Sequence, residues 1–179
     1  MIPFNLHHRK VELSHVTVNL EKHGPDERAL HVTVTLKAMM TVEQVAPLLG
    51  ILEMEQDAID RIKAGHWDED GNHFVDSKVQ WKDFIQEDTE VSLSEDTATD
   101  DGDRLFFRST EGSLKSFSGE YTLGTQMIVT FTAGFSVNEG NIADICRVWA
   151  KNTNIIVATQ ARQLSLELEE PQEEGLKLV

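Results

Sequence analysis

The side chains best suited to hold a metal stand together in GHWDEDGNH, residues 65–73, where His66, Asp68, Asp70 and His73 put two imidazoles and two carboxylates into one short polar stretch. Read as a calcium loop, the segment has Asp68, Asp70 and Gly71 in place, but Ser77 stands where the bidentate Glu belongs. Read as a transition-metal site, it has enough ligands and matches no defined spacing. The plainer reading is an acidic, hydrophilic turn, and no metal or other cofactor is expected. Cys146 is the only cysteine, so no intramolecular disulfide forms, and no His follows His73 to serve it as a base. Ser-His-Asp elbows, glycine-rich phosphate loops and CxxC pairs are missing from the sequence, which is therefore read as that of a non-enzyme.

Charge is the feature that exceeds ordinary composition. The formal net charge is −15, and the stretch 51–103 supplies most of it, with seventeen Asp or Glu against four Lys or Arg. Such a field repels phosphate backbones and anionic membranes unless a basic face is segregated from the acidic one. Carboxylates set along strands and loops can instead imitate the phosphate ladder of duplex DNA, with one charge per about 1.7 Å of axis. The residues expected to meet a basic protein or nucleoprotein are Asp68, Glu69, Asp70, Asp76, Asp83, Asp100 and Asp101, with Trp67 and Trp81 as aromatic anchors. The competing reading makes both tryptophans core residues and leaves the acids as a solvated face.

The elements that must carry these residues are mostly strands. Alternation over Val11–Leu20 and Leu30–Leu36, with Glu21–Asp26 as turn residues between them, predicts a β-hairpin with one buried face. Thr41 and Gln44 form a capping box ahead of a short helix carrying Val42, Val45, Leu48 and Leu49, and Pro47 falls early enough in it to be tolerated. An amphipathic helix is expected over Ile51–Ile62. Short strands are expected at Val75–Phe84, Val91–Leu93, Leu105–Arg108 and Leu114–Phe117, with Gly112, Gly119, Gly124 and Gly134 at turns or a bulge. Met127–Val137 reads as the longest central strand, burying Val129, Phe131, Ala133 and Phe135. Asn138 opens a second helix bearing Ile142, Ile145, Cys146 and Trp149, and Ile155–Leu168 resumes strand character.

His31–Leu49 can be laid over Ile128–Cys146 as a strand of Val and Thr, a polar cap and a short apolar helix, an echo that predicts a pseudo-duplicated strand–helix unit. The expected fold is α+β, mainly antiparallel β, as a β-sandwich or open barrel with two or three short helices. It forms a single domain, 1–179, with an acidic insert at about 51–103 and an acidic tail at 167–179. No run reaches the roughly twenty apolar residues of a membrane span, and the start lacks the apolar run of a signal peptide, so a cytoplasmic protein is expected, with homo-oligomers compatible.

PFNLHHRKVELSHVTVNLEKHGP near the start and VTFTAGFSVNEGNIADICRVW later resemble small uncharacterised phage and prophage proteins of early or recombination regions. The resemblance implies a phage-borne protein that counters a host defence nuclease or effector complex, or one that accompanies recombination. Joined to the acidic charge, it makes the expected function that of a nucleic-acid mimic and inhibitor. The alternative is a single-strand-binding or annealing accessory in which Phe106, Phe107, Arg104 and Arg108 stack on bases and hold phosphates.

Overall fold

The alternation read in the sequence is resolved into long antiparallel strands in the computed structural model, which describes residues 3–22, 28–49, 66–67, 70, 73–74, 78–97, 102–122, 126–151 and 154–162. β1 (Leu6–Lys22) and β2 (Arg28–Thr41) form the expected hairpin and lead into α1 (Val42–Leu49). A two-residue pair, β3 (His66–Trp67) with β4 (His73–Phe74), stands apart as its own small sheet. Then come β5 (Lys78–Trp81), β6 (Gln86–Glu95), β7 (Arg104–Tyr121), β8 (Gln126–Val137), α2 (Glu139–Lys151) and β9 (Asn154–Ala161).

Hydrogen-bonded neighbours run β5-β7-β6-β9-β1-β2-β8, and β7 also pairs with β8, so six strands close into a barrel. This corrects the expected sandwich or open barrel. The inward-outward alternation is the same in all three architectures; closure depends on β7 reaching β8, with Ser113 opposite Gly134 and Tyr121 opposite Met127. Closure also removes the exposed edges that an open sheet of these strands would present.

The pairings repeat. β1–β2–α1–β6 and β7–β8–α2–β9 each run hairpin, helix, strand, and each third strand pairs with the first strand of the other set, β6 with β7 and β9 with β1. Like pairs with like at the two remaining seams, β2 with β8 and β6 with β9. Both helices open on a cap between residues three apart. Thr41 N–H donates to Gln44 Oε1 at 3.2 Å, and Asn138 and Asn141 exchange bonds of 2.9 and 3.3 Å. The strand–helix echo of the sequence thus falls on corresponding parts of the topology.

The barrel interior is filled by side chains. Val32, Val34, Leu36, Ala38 and Met40 of β2 and Val129, Phe131, Ala133 and Phe135 of β8 are buried, which is the register the alternation predicts for β8. Phe117 and Phe131 stack with centroids 5.3 Å apart, and Phe4 meets both edge-on at 5.0 and 5.4 Å. α1 adds Val45 and Leu48 beside β2 and β8, and α2 adds Ile145 and Val148 beside β1 and β7.

Leu105–Arg108 and Leu114–Phe117 are one strand rather than two, and Gly112 and Gly119 lie within it rather than at turns. At Gly119 a Cβ would meet the Trp81 ring at 2.6 Å and Met127 Sδ at 2.5 Å, so the glycine is required by close packing. Gly112 has the same role, because a Cβ there would lie 2.9 Å from the Thr89 carbonyl oxygen. The amphipathic helix expected over 51–62 falls outside the described residues.

Candidate interaction surface

Antiparallel closure decides which parts of the chain meet at each end of the barrel. One end gathers the start of β1, the end of β2 with α1, the start of β6, the end of β7 and the end of β9. The segment 50–77 connects α1 to β5, whose Lys78 pairs with Glu120 near the end of β7. It contains eight Asp or Glu and two Lys or Arg. β9 is followed by Arg162, whose backbone N–H donates to the Asp88 carbonyl oxygen at 3.0 Å, and 163–179, outside the described residues, carries five Glu and one Lys. Both acid-rich segments therefore join the barrel at the same end.

Three further acids belong to that end itself. Asp83 lies in the turn between β5 and β6, and Glu87 and Asp88 open β6. All three are exposed, and none forms an ion pair with a described residue. Several acids elsewhere are matched by cations, Glu90 with Arg108 at 2.6 Å, Asp96 with Lys10 at 2.8 Å, Arg147 with Asp144 at 3.4 Å and with Glu95 at 3.8 Å, whereas Asp103, Glu120 and Glu139 have no ion pair with a described residue. These pairs are partly exposed and add little to stability, at most about 1 kcal/mol each. Their effect is on the field: negative charge is offset along the β6 wall, whereas at the pole Asp83, Glu87 and Asp88 have no described ion pair, with Lys82, Arg9 and Arg162 as the cations of the same end.

Beneath the pole the barrel is closed by Phe4. Gln86 Oε1 accepts from Phe4 N–H at 2.7 Å, and Gln86 Nε2 donates to the Phe4 carbonyl at 3.1 Å and to Thr89 Oγ1 at 3.1 Å. Thr159 Oγ1 accepts from Leu6 N–H at 3.0 Å and donates to the Phe4 carbonyl at 3.5 Å. Gln86, Thr89 and Thr159 are buried, uncharged and mutually satisfied, so this network fixes the end of the barrel.

The sequence-predicted site residues are only partly brought together. Asp70 is an exposed turn residue between β3 and β4, and Asp83 is exposed at the pole. Trp67 is on β3, opposite His73. Trp81 is half-buried and packs on the core over Gly119, so it is in part a structural residue. Asp68, Glu69, Asp76, Asp100 and Asp101 lie outside the described residues. In the metal-like segment the pairing sets His66 against Phe74 and Trp67 against His73, so the two histidines are not cross-strand partners. Asp96 and Asp103 border the loop at the other end of β6, away from the pole.

Glu87 and Asp88 were not distinguishable from the other acids of 51–103 in the sequence; only the position of β6 against β9 places them at the pole. Of the residues of the alternative reading, Arg104 is exposed and Phe106 half-buried, while the other two are engaged by the barrel. Phe107 is 4 % exposed, with its ring 4.4 Å from that of Phe135 inside the barrel, and Arg108 is engaged by Glu90. A base cannot stack on a ring held there.

No protein-family model matches the chain, and neither a curated protein nor a solved structure matches it.

Proposed function

We propose that this protein is a non-enzymatic binding module whose acidic pole engages a basic protein surface, in the manner of a nucleic-acid mimic occupying a groove lined with Lys and Arg. The observation that carries this reading is that Asp83, Glu87 and Asp88 stand exposed at the end of the barrel to which the acid-rich segments 50–77 and 163–179 are joined. A groove built to neutralise phosphates attracts such a surface at long range, and the encounter is fast and salt-sensitive. The phage resemblance favours a host defence nuclease or effector complex as the partner, with the protein acting as its inhibitor.

Displacement of DNA tests this. A fluorescein-labelled duplex bound to each of a set of basic nucleases is titrated with the protein, and anisotropy falls where the acidic pole competes for the groove. Undiminished anisotropy across the set, with protein in large excess, refutes mimicry.

A further inference from the structure

The barrel wall is interrupted on one side. Trp81 pairs with Phe117 and Gln86 with Leu114, but between these points residues 82–85, which link β5 to β6, face only 115–116 of β7. Ser116 takes φ 57°, and the β7–β8 register shifts between Lys115 and Ser118 at the same place. A cleft of about 380 Å³ opens there, floored by Trp81 and Phe117 and flanked by Ile85, Lys82 and Lys115. Ile85 is 48 % exposed, an apolar side chain left at the rim.

The cleft's charge is opposite to that of the chain. Among the described residues its ionisable lining is two lysines and no acid, in a protein of net charge −15. Neither lysine forms an ion pair with a described residue. The neighbouring groove over β1, β2, β7 and β8 differs: there Lys10 is held by Asp96, Lys37 lies 3.8 Å from Glu12, and Glu120 adds a further carboxylate. Where the strands part, Phe84 N–H donates to the Trp81 carbonyl at 3.4 Å and the Lys115 carbonyl accepts from Thr132 Oγ1 at 3.0 Å, so the cleft's edges are tied back to the barrel.

We propose that this cleft binds an acidic peptide, with a bulky aliphatic side chain seated against Trp81 and Ile85 and the flanking carboxylates meeting Lys82 and Lys115. The volume suits a few side chains, at the lower end of the roughly 300–1,000 Å³ of ligand pockets. Single-stranded nucleic acid fits less well, because a polyanion is opposed by the field of the whole chain over about 8–10 Å of screening length, whereas a peptide brings only two or three charges. The cleft adjoins the acidic pole, with Lys82 next to Asp83 in the β5–β6 turn, but no described carboxylate of the pole lines it.

A fluorescein-labelled peptide of sequence Gly-Glu-Leu-Glu-Leu-Glu-Gly, titrated with the full chain in low salt, tests the proposal. Saturable binding below about 1 mM is expected, and Lys82→Gln with Lys115→Gln weakens it by about tenfold or more, a change of about 1.4 kcal/mol or more. Lys151→Gln, on α2, leaves it unchanged. Circular dichroism checks that the exposed double substitution keeps the fold. Absence of saturation, equal affinity in the double variant, equal competition by a peptide with Gly in place of both Leu, or equal competition by an oligothymidylate of the same charge each overturns the assignment.

Discussion

Gln86 holds Phe4 by both of its backbone polar groups, accepting from its N–H at 2.7 Å and donating to its carbonyl at 3.1 Å. One side chain thus does what a strand neighbour does elsewhere in the barrel, and the Phe4 ring is fixed against Phe117 and Phe131. Gln86→Met keeps the volume and removes the bonds, leaving the buried Phe4 N–H unpaired at a cost of about 1–3 kcal/mol, while Thr159 Oγ1 still reaches the Phe4 carbonyl. Thermal unfolding should move down by several degrees, by about 2–4 °C per kcal/mol for a chain of this size. An unchanged midpoint would mean that Phe4 is held by its ring alone.

The β8 register predicts a large loss at Phe131. It is 0 % exposed and stacked on Phe117. Phe131→Asp buries a charge without a partner, and the domain should not fold; Phe131→Ala should fold with a loss of about 3–5 kcal/mol in urea denaturation. A Phe131→Asp protein with the parent's circular dichroism would contradict the barrel interior described here.

Gly119→Ala tests the contact that positions Trp81. The added methyl meets the indole ring and Met127 from inside the barrel, so one of them must shift, at a cost of about 1–3 kcal/mol. Tryptophan emission should move to the red as Trp81 turns toward water. Emission and stability both at parental values would show that the ring does not occupy the glycine's space.

Much of the scaffold is legible in the sequence because it is local. The hairpin of Val11–Leu20 with Leu30–Leu36, the Thr41–Gln44 and Asn138 caps, and the inward set Val129, Phe131, Ala133, Phe135 all follow from periods and spacings within a dozen residues or so. Barrel closure is not local. Whether Ser113 meets Gly134, or Thr89 meets Ala161, leaves no trace in either segment's alternation. Gly112 and Gly119 read as turn residues for the same reason, since the atoms that exclude their Cβ groups belong to Thr89, Trp81 and Met127. The site was legible as charge and not as place: Asp83 was identified, Glu87 and Asp88 were not, and Lys82 and Lys115 meet only because two strands part at the same level.

The pole's acids should be dispensable for folding. Asp83→Asn, Glu87→Gln and Asp88→Asn remove exposed charges without described ion pairs, and each should change stability by no more than about 0.5 kcal/mol. A loss of several kcal/mol from these three together would show that they hold the barrel rather than a partner.

Neutralising each end of the barrel in turn tests the central claim most directly. One variant carries Asp83→Asn, Glu87→Gln and Asp88→Asn at the pole; the other carries Asp103→Asn, Glu139→Gln and Asp144→Asn, away from it. Affinity for a basic nuclease that the parent protein blocks is measured for both at low salt. The pole variant should bind several-fold to about tenfold more weakly, with the loss largely in the association rate, and the other variant should bind like the parent. Equal affinities for the two variants, or a larger loss from the second, would contradict an acidic pole as the binding surface.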